Sequence, residues 1–427
     1  MIVRGLCRLL VLLACLPLAA HAQPLTLEQA LAAADAPHPD LELAEADRES
    51  ALAERELAGA RGDLAVNLEA GLRRAKSSLD PGTQNDNTLK LNARKNLYDF
   101  GRTVHAEDAA QASVQAREAM LMDARDRRRL DIMARFFDVL AADLEYTADN
   151  EYMAVAYVNF DNGRDRIKAG QISSVDLSES EHRYQEALVK RNASQARSRI
   201  ARALLANAMN QPGKLSADLV DPLLAGNNRP LPEVEALLPL LENNPQLRAE
   251  QSLLEASRQR MEAQRSENGP SLDAEVEAAN YSRESSLRDD LRAGVVLTLP
   301  LYQGRRVSAP LAREQAQFHK LQAETDKLRM ELQQALLEVW LEIDQLQRTV
   351  RGAAQKQTAY RDLALEKARG QYEMELRANL GDSMAATMEA KLRERRTEYR
   401  LALAFARLEA LLGKPLAPAT NGKEQAK

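Results

Sequence analysis

Cysteine is missing from almost the whole chain, because its two copies, Cys7 and Cys15, lie close to the N-terminus. If that segment is removed, no thiol remains, and disulfides and cysteine metal sites are excluded. Aromatic residues are also scarce at 4% of the 427 residues, whereas charged residues reach 28%. A large globular core normally uses more aromatic bulk, so this composition is typical of long helices or coiled coils.

Long apolar runs are missing as well. Beyond the N-terminal segment no run reaches the roughly 18 apolar residues of a membrane-spanning helix, so any crossing of a bilayer must use strands. Histidines occur singly: none of His38, His105, His182 and His319 has a histidine partner at i,i+4, and we interpret all four as surface residues. Without a thiol, a phosphate-binding loop or a GxSxG motif, we expect no enzyme, metal or cofactor site. The net charge of −5 indicates no nucleic-acid partner.

The N-terminus is typical of a secretory signal. Arg4 and Arg8 precede the apolar stretch LLVLLACLPLAA, and Ala20-His21-Ala22 fits a small-x-small cleavage site. We expect residues 1–22 to be removed. The alternatives are a retained anchor, which Pro17 and the short run disfavour, and lipid attachment at Cys15, whose preceding residues match a lipoprotein site poorly.

The rest of the chain is a duplication. LYDFGR, with Tyr98, has a second copy in LYQGRR, with Tyr302, and HPDLELAEA and MNQP correspond at nearly the same offset to NPQLRAEQS and LGKP. Between the copies lies a stretch dense in proline, glycine and asparagine, which is typical of a linker. We therefore predict a first repeat at 23–212, a linker at 213–232, a second repeat at 233–415 and a disordered tail at 416–427.

Each repeat contains two segments that alternate between apolar and polar residues, which indicates strands with one apolar face. In the first repeat we predict one strand from Asp63 to Ala75 and another over residues 89–97. In the second repeat the corresponding apolar positions run over residues 272–278 and 291–301. A soluble hairpin with one face on a core is the alternative interpretation of each segment alone.

The strands are followed by long helices. Residues 102–162 contain neither glycine nor proline, and a helix of that length would be about 90 Å long. Further helices are predicted at residues 174–210 and 382–412. Apolar residues spaced three and four apart predict coiled-coil seams; they are Leu130, Met133, Phe137, Leu140 and Leu144, and Leu332, Leu336, Val339, Ile343, Leu346 and Val350.

Strands of this length match membrane-crossing β-strands, with the apolar face toward lipid and the charged face toward a watery lumen. Four strands cannot close a barrel, and open edges are not tolerated in hydrocarbon. Several chains must therefore share one barrel, of eight strands from two chains or twelve from three. A barrel of eight strands is filled by its own side chains, so three chains are favoured if the lumen conducts.

The two copied motifs then mark the points where strand becomes helix. Aromatic rings suit the membrane interface, glycine permits a change of chain direction, and arginine suits headgroups or water. We predict junction residues at Tyr98, Gly101, Arg102, Pro300, Tyr302, Gly304 and Arg305.

With these motifs the mature chain resembles the TolC-like outer-membrane efflux protein family. The resemblance implies an α+β membrane protein: a homotrimer with a shared barrel of 12 strands in the bacterial outer membrane and a helical coiled-coil tunnel in the periplasm. It also implies an exit duct that works with a periplasmic adaptor and an inner-membrane transporter, either ABC or proton-driven. Small-molecule efflux and type I protein secretion both fit, and YDFGR slightly favours secretion.

The same resemblance implies that the turns between long helices narrow the periplasmic mouth. Asp176 matches an acidic position of the aperture, and Tyr372 and Arg377 match a latch tyrosine and arginine. The second acidic ring of the family meets Gly381 and Met384 here, and the adjacent Asp382 is the acidic residue that we predict at the aperture in this turn. A solvated charge near a helix end is the alternative for each.

The main rival interpretation is a soluble periplasmic coiled-coil adaptor or structural protein. It explains export and heptads, but it does not explain two alternating hairpins in a duplicated chain. An adhesin with a coiled-coil stalk leaves the duplication unexplained too.

Overall fold

The computed structural model describes residues 24–76, 82–213, 218–283, 288–374 and 380–416. The predicted signal peptide, Arg377 and all but the first residue of the predicted tail fall outside these ranges. The described part is dominated by helices, with one four-stranded sheet.

The first repeat begins with two helices that side chains cap. Helix α1 (Leu27–Ala32) starts at a capping box in which Thr26 and Gln29 bond each other's backbone amides, and a short 3₁₀ turn follows. Helix α2 (Pro39–Gly59) starts at His38, whose Nδ1 accepts the Asp40 N–H at 3.2 Å. The two helices are thus separated at the prolines Pro37 and Pro39.

Two longer helices complete the first repeat. Helix α3 (Arg102–Lys168) has 67 residues, which makes it about 100 Å long. After a short turn, α4 (Ser174–Ala208) returns antiparallel to it. Both were predicted, and α3 continues past Asn162 through Gly163.

The second repeat begins with a short helix, α5 (Val234–Leu237), and a 3₁₀ segment (Leu238–Asn243). Helix α6 (Pro245–Ser266) starts at Asn244, whose side chain accepts two backbone amides. Helices α7 (Arg305–Gln345), α8 (Arg351–Glu373) and α9 (Leu380–Leu412) follow, and a π turn (Leu346–Val350) joins α7 to α8.

The π turn is absent from the sequence prediction, since the heptad pattern continues through it. Within the turn, the Gln347 side-chain amide donates to the carbonyls of Asn227 and Arg229, both at 3.0 Å. A π turn adds one residue to a helical turn and reorients the side chains beyond it. Contacts with the linker, which are distant in sequence, therefore accompany this irregularity.

The sheet contains β1 (Ala65–Gly71), β4 (Thr88–Tyr98), β5 (Ser271–Tyr281) and β6 (Leu291–Thr298), antiparallel in that order. The two repeats thus join through β4 and β5. A ribbon of β2 (Arg74–Lys76) and β3 (Thr83–Asn85) extends the first hairpin.

The prediction of a single strand from Asp63 to Ala75 was wrong, because the strand is interrupted between β1 and β2. At the break, Asn87 Oδ1 accepts the Arg73 N–H at 3.2 Å, and the Asp86 N–H donates to the Arg73 carbonyl. These bonds satisfy the backbone N–H and carbonyl of Arg73, which have no partner in the ladder of β1 and β4. On the far side of the sheet β6 ends two residues before Pro300, which has no N–H to donate.

The alternation of faces is confirmed by the register. Glu69 lies opposite Lys90, and Glu277 lies opposite Arg292, all on one face. Leu68 opposite Leu91 lies on the other face. The large apolar residues of that face are exposed in the single chain; they include Leu64, Val66, Leu68, Leu89, Leu91, Leu97, Val276, Leu291, Val295 and Leu297.

The predicted seam of α7 forms a core, and three residues of the predicted seam of α3, Met133, Phe137 and Leu140, join a second core. Leu130 and Leu144 do not join it, and Ile132, Phe136 and Val139 are buried in their place. The seam of α7 packs against α9 and the start of α6, and the seam of α3 packs against α1, α4 and α9. The buried residues of the two clusters include Leu336, Ile343, Leu401, Phe405 and Leu247 in the first, and Ile132, Phe136, Phe137 and Leu205 in the second.

Residues of the predicted linker are attached to α9. Asn227 is buried and its Nδ2 donates to the Glu398 carboxylate at 2.7 Å, and the Tyr399 hydroxyl donates to Asp221 at 2.9 Å. Arg229 lies over the Phe405 ring at 4.3 Å. In the part of the chain that the structure describes, no helix combines the length and apolar character needed to cross a membrane.

Candidate functional site

The first strand-to-helix junction depends on a residue that we did not predict, Asp99. Its side chain is 7% exposed, and its Oδ2 accepts the Thr103 N–H at 3.0 Å as well as the Thr103 hydroxyl. Phe100 and Gly101 both have positive φ, 55° and 94°, so the chain turns sharply before α3. Asp99 supplies the acceptor for free amide groups at the start of the longest described helix.

Arg102 is half-buried, although we expected it in headgroups or water. Its guanidinium lies 3.6 Å from Asp99 Oδ2 and 3.5 Å from Glu267 Oε2. Glu267, at the end of α6, also accepts from the Gln303 side chain through its backbone carbonyl. Glu267 therefore brings the two junctions together. The sequence signal that could have identified Glu267 is the turn sequence Glu-Asn-Gly-Pro at residues 267–270, which lies between α6 and β5.

The second junction is more open than the first. Tyr302 is 91% exposed, Arg305 is exposed, and Gly304 has φ 60° immediately before α7. Tyr98, at the end of β4, is also exposed, and its ring packs edge-on against Phe100 at 4.6 Å. Exposed aromatic rings therefore lie at both strand ends, where the sequence predicted a membrane interface.

At the other end of α3, the turn to α4 is held by Ser173 and Asp176. The Ser173 N–H and hydroxyl donate to Asp176 Oδ2 at 2.9 and 2.8 Å, and the Asp176 N–H donates to Ser173 Oγ at 3.1 Å. This is a complete capping box. The hydrogen bonds from Ser173, backbone first, lower the pKa of Asp176, and nearby Arg166 contributes.

A cleft of about 720 Å³ lies between the tips of α3, α4 and α9. Asp176 and Asp382 both line it, so the structure brings together two of the predicted aperture residues. Gly381 packs tightly beside it: a Cβ there would lie 2.5 Å from Val155 Cγ2. The small residue at 381 thus lets α9 approach α3 closely.

The other two predicted aperture residues do not join this cleft. Tyr372 is exposed near the end of α8 and does not line it. Arg377 lies outside the described residues, and its role stays a prediction.

The polar face of the sheet carries ion pairs. Asp273 is buried and accepts from Arg94 at 2.8 Å and from Asn96 at 2.9 Å. Glu277 lies between two cations, with Lys90 at 3.7 Å and Arg292 at 3.1 Å. The sequence predicted a charged face, but it did not predict which charges would pair across strands.

Two histidines differ from the prediction that all four lie at the surface. His38 is half-buried as the cap of α2, and half-buried His105 contacts Gln259 through Nδ1 at 3.0 Å. His182 and His319 are exposed. Within the described ranges, no three His, Cys, Asp or Glu side chains are arranged to hold a metal ion.

With this geometry established, sequence comparison identifies the class of protein. The family described as outer membrane efflux protein matches residues 30–211 and 238–414, which is most of the chain. The chain therefore belongs to the outer membrane efflux protein family. No curated protein sequence matches it.

Solved structures with the same fold include VceC from Vibrio cholerae, at 18% identity and a TM-score of 0.72, covering 91% of this chain and 96% of that one. The Campylobacter jejuni CmeC outer membrane channel matches at 13% identity and a TM-score of 0.74, covering 91% and 85%. The open state of the Neisseria gonorrhoeae MtrE channel matches at 18% identity and a TM-score of 0.67, covering 91% and 89%. At these identities the likeness establishes the fold.

Proposed function

We propose that three copies of this chain form the exit duct of an efflux pump, with a shared barrel in the outer membrane and a helical tunnel below it. Membership of the outer membrane efflux family establishes the class of protein. The number of copies, the partners and the gate are the content of the proposal.

The observation that carries the proposal is the two-faced, open-edged sheet. Its apolar face is exposed, its opposite face holds ion pairs, and β1 and β6 are the two edge strands of the sheet among the described residues. Lipid covers an apolar face, but each unpaired backbone group in hydrocarbon costs several kcal/mol. Pairing β6 of one copy with β1 of the next removes both edges. Three copies give a barrel of 12 strands, which is wide enough for a watery lumen.

The helices supply the tunnel. Helices α3 and α7 begin directly after β4 and β6, so the strand ends lead into long coiled-coil layers. Exposed aromatic residues at these strand ends suit the periplasmic interface of the outer membrane.

Transport through such a duct needs energy from elsewhere. We propose a periplasmic adaptor and an inner-membrane transporter, ABC or proton-driven, as partners, because no nucleotide-binding motif was found in the sequence. Small molecules are the proposed cargo, since efflux is the activity in the family's description. A role in type I protein secretion, which the YDFGR motif slightly favours, stays a prediction.

We place the gate at the periplasmic tips of the helices. The cleft shared by Asp176 and Asp382 supports this proposal, because three copies would present rings of carboxylates at a narrow mouth. Tyr372 and Arg377 are proposed as the latch that holds the mouth closed.

Two measurements test the duct. Unheated protein from the outer-membrane fraction should migrate in SDS as a trimer that dissociates on boiling, and it should form conducting channels in planar bilayers. A monodisperse monomer recovered from the soluble periplasm without detergent would instead support the adaptor or structural interpretation and overturn the proposal.

A further inference from the structure

Each edge strand of the sheet carries one charged residue, and the two have opposite signs. The β1 sequence AVNLEAG contains Glu69, and the β6 sequence LRAGVVLT contains Arg292. Edge strands offer unpaired backbone groups to any neighbour. A single charge on each edge can decide which neighbour is accepted.

Both charges lie on the polar face. Glu69 is directly opposite Lys90 on β4, and Arg292 is directly opposite Glu277 on β5. Lys90 and Glu277 lie on adjacent strands, one step apart diagonally. Across the sheet these four residues therefore form a row, here named the charge row, whose signs alternate: negative, positive, negative, positive.

The two inner residues of the charge row, Lys90 and Glu277, form an ion pair with each other. The two outer residues, Glu69 and Arg292, can each form a further ion pair. Glu277 Oε1 is 3.7 Å from Lys90 Nζ and 3.1 Å from Arg292 Nη2. The Glu69 side chain is exposed, and it makes no hydrogen bond or ion pair with another described residue. The Arg292 side chain is 66% exposed, and a guanidinium can bond a second carboxylate with its other N–H groups.

We infer that Arg292 of one copy pairs with Glu69 of the next copy, so that the charge rows join into a closed ring of alternating charges in the lumen. The inference rests on the proposed shared barrel. Placing β6 beside β1 with both apolar faces outward puts the two charges on the same inner face. Repeating that contact continues the alternation without interruption around the barrel.

The same charges disfavour wrong assemblies. Pairing β6 with β6 would bring two Arg292 side chains onto neighbouring strands, and pairing β1 with β1 would do the same for Glu69. Like charges on facing strands are destabilising. The charge row therefore favours a head-to-tail contact, which is the type that closes into a ring.

Cysteine cross-linking tests the contact directly, because both native cysteines lie in the predicted signal peptide. A Glu69→Cys/Arg292→Cys double variant, treated with an oxidant or a short bismaleimide in isolated outer membranes, should give covalent dimers and trimers that survive boiling. Each single variant and the unsubstituted protein should stay monomeric after boiling. A matched control is Glu69→Cys/Thr298→Cys, since Thr298 lies on β6 at the end far from Arg292, and it should cross-link poorly.

A neutralisation cycle tests the charges. Glu69→Gln and Arg292→Gln should each raise the rate at which the trimer dissociates in SDS by roughly fivefold. The double variant should dissociate no faster than the less stable of the two single variants. Additive losses would overturn the ion pair. A trimer in which the double cysteine variant forms no 69–292 cross-link would overturn the inference, and so would cross-linking in a single cysteine variant. Either result would leave the proposal of a shared barrel intact. Absence of any trimer in the unsubstituted protein would instead refute the proposed function.

Discussion

At the residue scale, one carboxylate can serve the fold and the function together. Asp176 was predicted as an aperture residue, and the structure also places it in the capping box that begins α4. Its charge faces the cleft shared with Asp382, whereas its Oδ2 accepts hydrogen bonds from Ser173. A substitution at 176 therefore needs a control that separates the two roles.

Asp176→Asn should lower the cation preference of the channel, because it removes the charge but keeps a side-chain oxygen for the cap. Ser173→Ala should keep the cation preference and weaken the helix start by about 1 kcal/mol. Reversal potentials across a KCl gradient measure the first effect, and thermal unfolding in detergent measures the second. Equal selectivity in Asp176→Asn and the unsubstituted channel would contradict an aperture role.

The pH dependence follows from the lowered pKa of Asp176. Because the hydrogen bonds from Ser173 stabilise the carboxylate, the group stays ionised below its ordinary value of 3.8. Its contribution to stability is therefore present above that value and is lost as the pH falls through the lowered pKa, and the proposed cation preference should follow the same ionisation. Reversal potentials should show no change from Asp176 between pH 7 and about 5.

Gly381 has a different role at the same tip, since it permits close contact. Gly381→Ala places a Cβ against Val155 and should push the start of α9 away from α3, at a cost of typically 1–3 kcal/mol. We expect a looser mouth and a higher single-channel conductance. Adding Val155→Ala should restore the conductance, and a double variant that remains as open as Gly381→Ala would contradict the steric account.

At the element scale, the middle of α3 organises the surrounding helix ends through Arg128. The side chain is 6% exposed, and its N–H groups donate to the carbonyls of Ala34 at 3.1 Å, Ala33 at 3.0 Å and Ala208 at 3.4 Å. The carbonyls of Ala33 and Ala34 lie in the first 3₁₀ turn, and that of Ala208 lies at the end of α4. Ala33 also accepts the Ala36 N–H, whereas carbonyls at helix ends such as Ala208 depend on donors from outside the helix. Burial lowers the pKa of Arg128.

Arg128→Met should destabilise the protein by about 1–3 kcal/mol, because it removes the described donor of the Ala34 and Ala208 carbonyls, the first of which is buried. Arg129→Met is the matched control: its side chain is more exposed and pairs loosely with Asp35 at 3.7 Å, so the change should be small. Chemical denaturation of the detergent-solubilised protein measures both. Comparable losses in the two variants would contradict the assigned contacts of Arg128.

Element existence was predictable from sequence, but element irregularities were not. The absence of glycine and proline over residues 102–162 was sufficient to predict α3, and the 3-4 apolar spacing predicted part of its buried face, including Phe137 and Leu140. The break after Gly71 and the π turn after Gln345 depend instead on Asn87 and on linker carbonyls. Such contacts between distant residues leave no periodic signal in the sequence.

At the scale of the whole molecule, the exposed apolar face of the sheet decides where the protein can reside. Leu68 is 69% exposed on this face, and its neighbour Asn67 points to the polar face. In water an apolar surface of this extent would favour association with lipid or with other chains.

Leu68→Arg should therefore prevent assembly, because a cation on the lipid face near the bilayer midplane costs about 2–4 kcal/mol in each copy. Asn67→Arg places the same charge on the lumen side and should assemble nearly normally. The yield of unheated SDS-resistant trimer in the outer-membrane fraction compares the two. Equal yields would contradict the assignment of the two faces.

The sequence by itself determined the duplication, the two alternating hairpins and the long heptad helices, because each follows from local periodicity or internal similarity. Its junction motifs also located the residues at which strand becomes helix. Only the tertiary structure decided that Asp99 and Glu267 support those junctions, that Asp176 and Asp382 share one cleft, and that the edge charges Glu69 and Arg292 share one face. Those relations depend on strand register and helix packing, which bring together residues far apart along the chain.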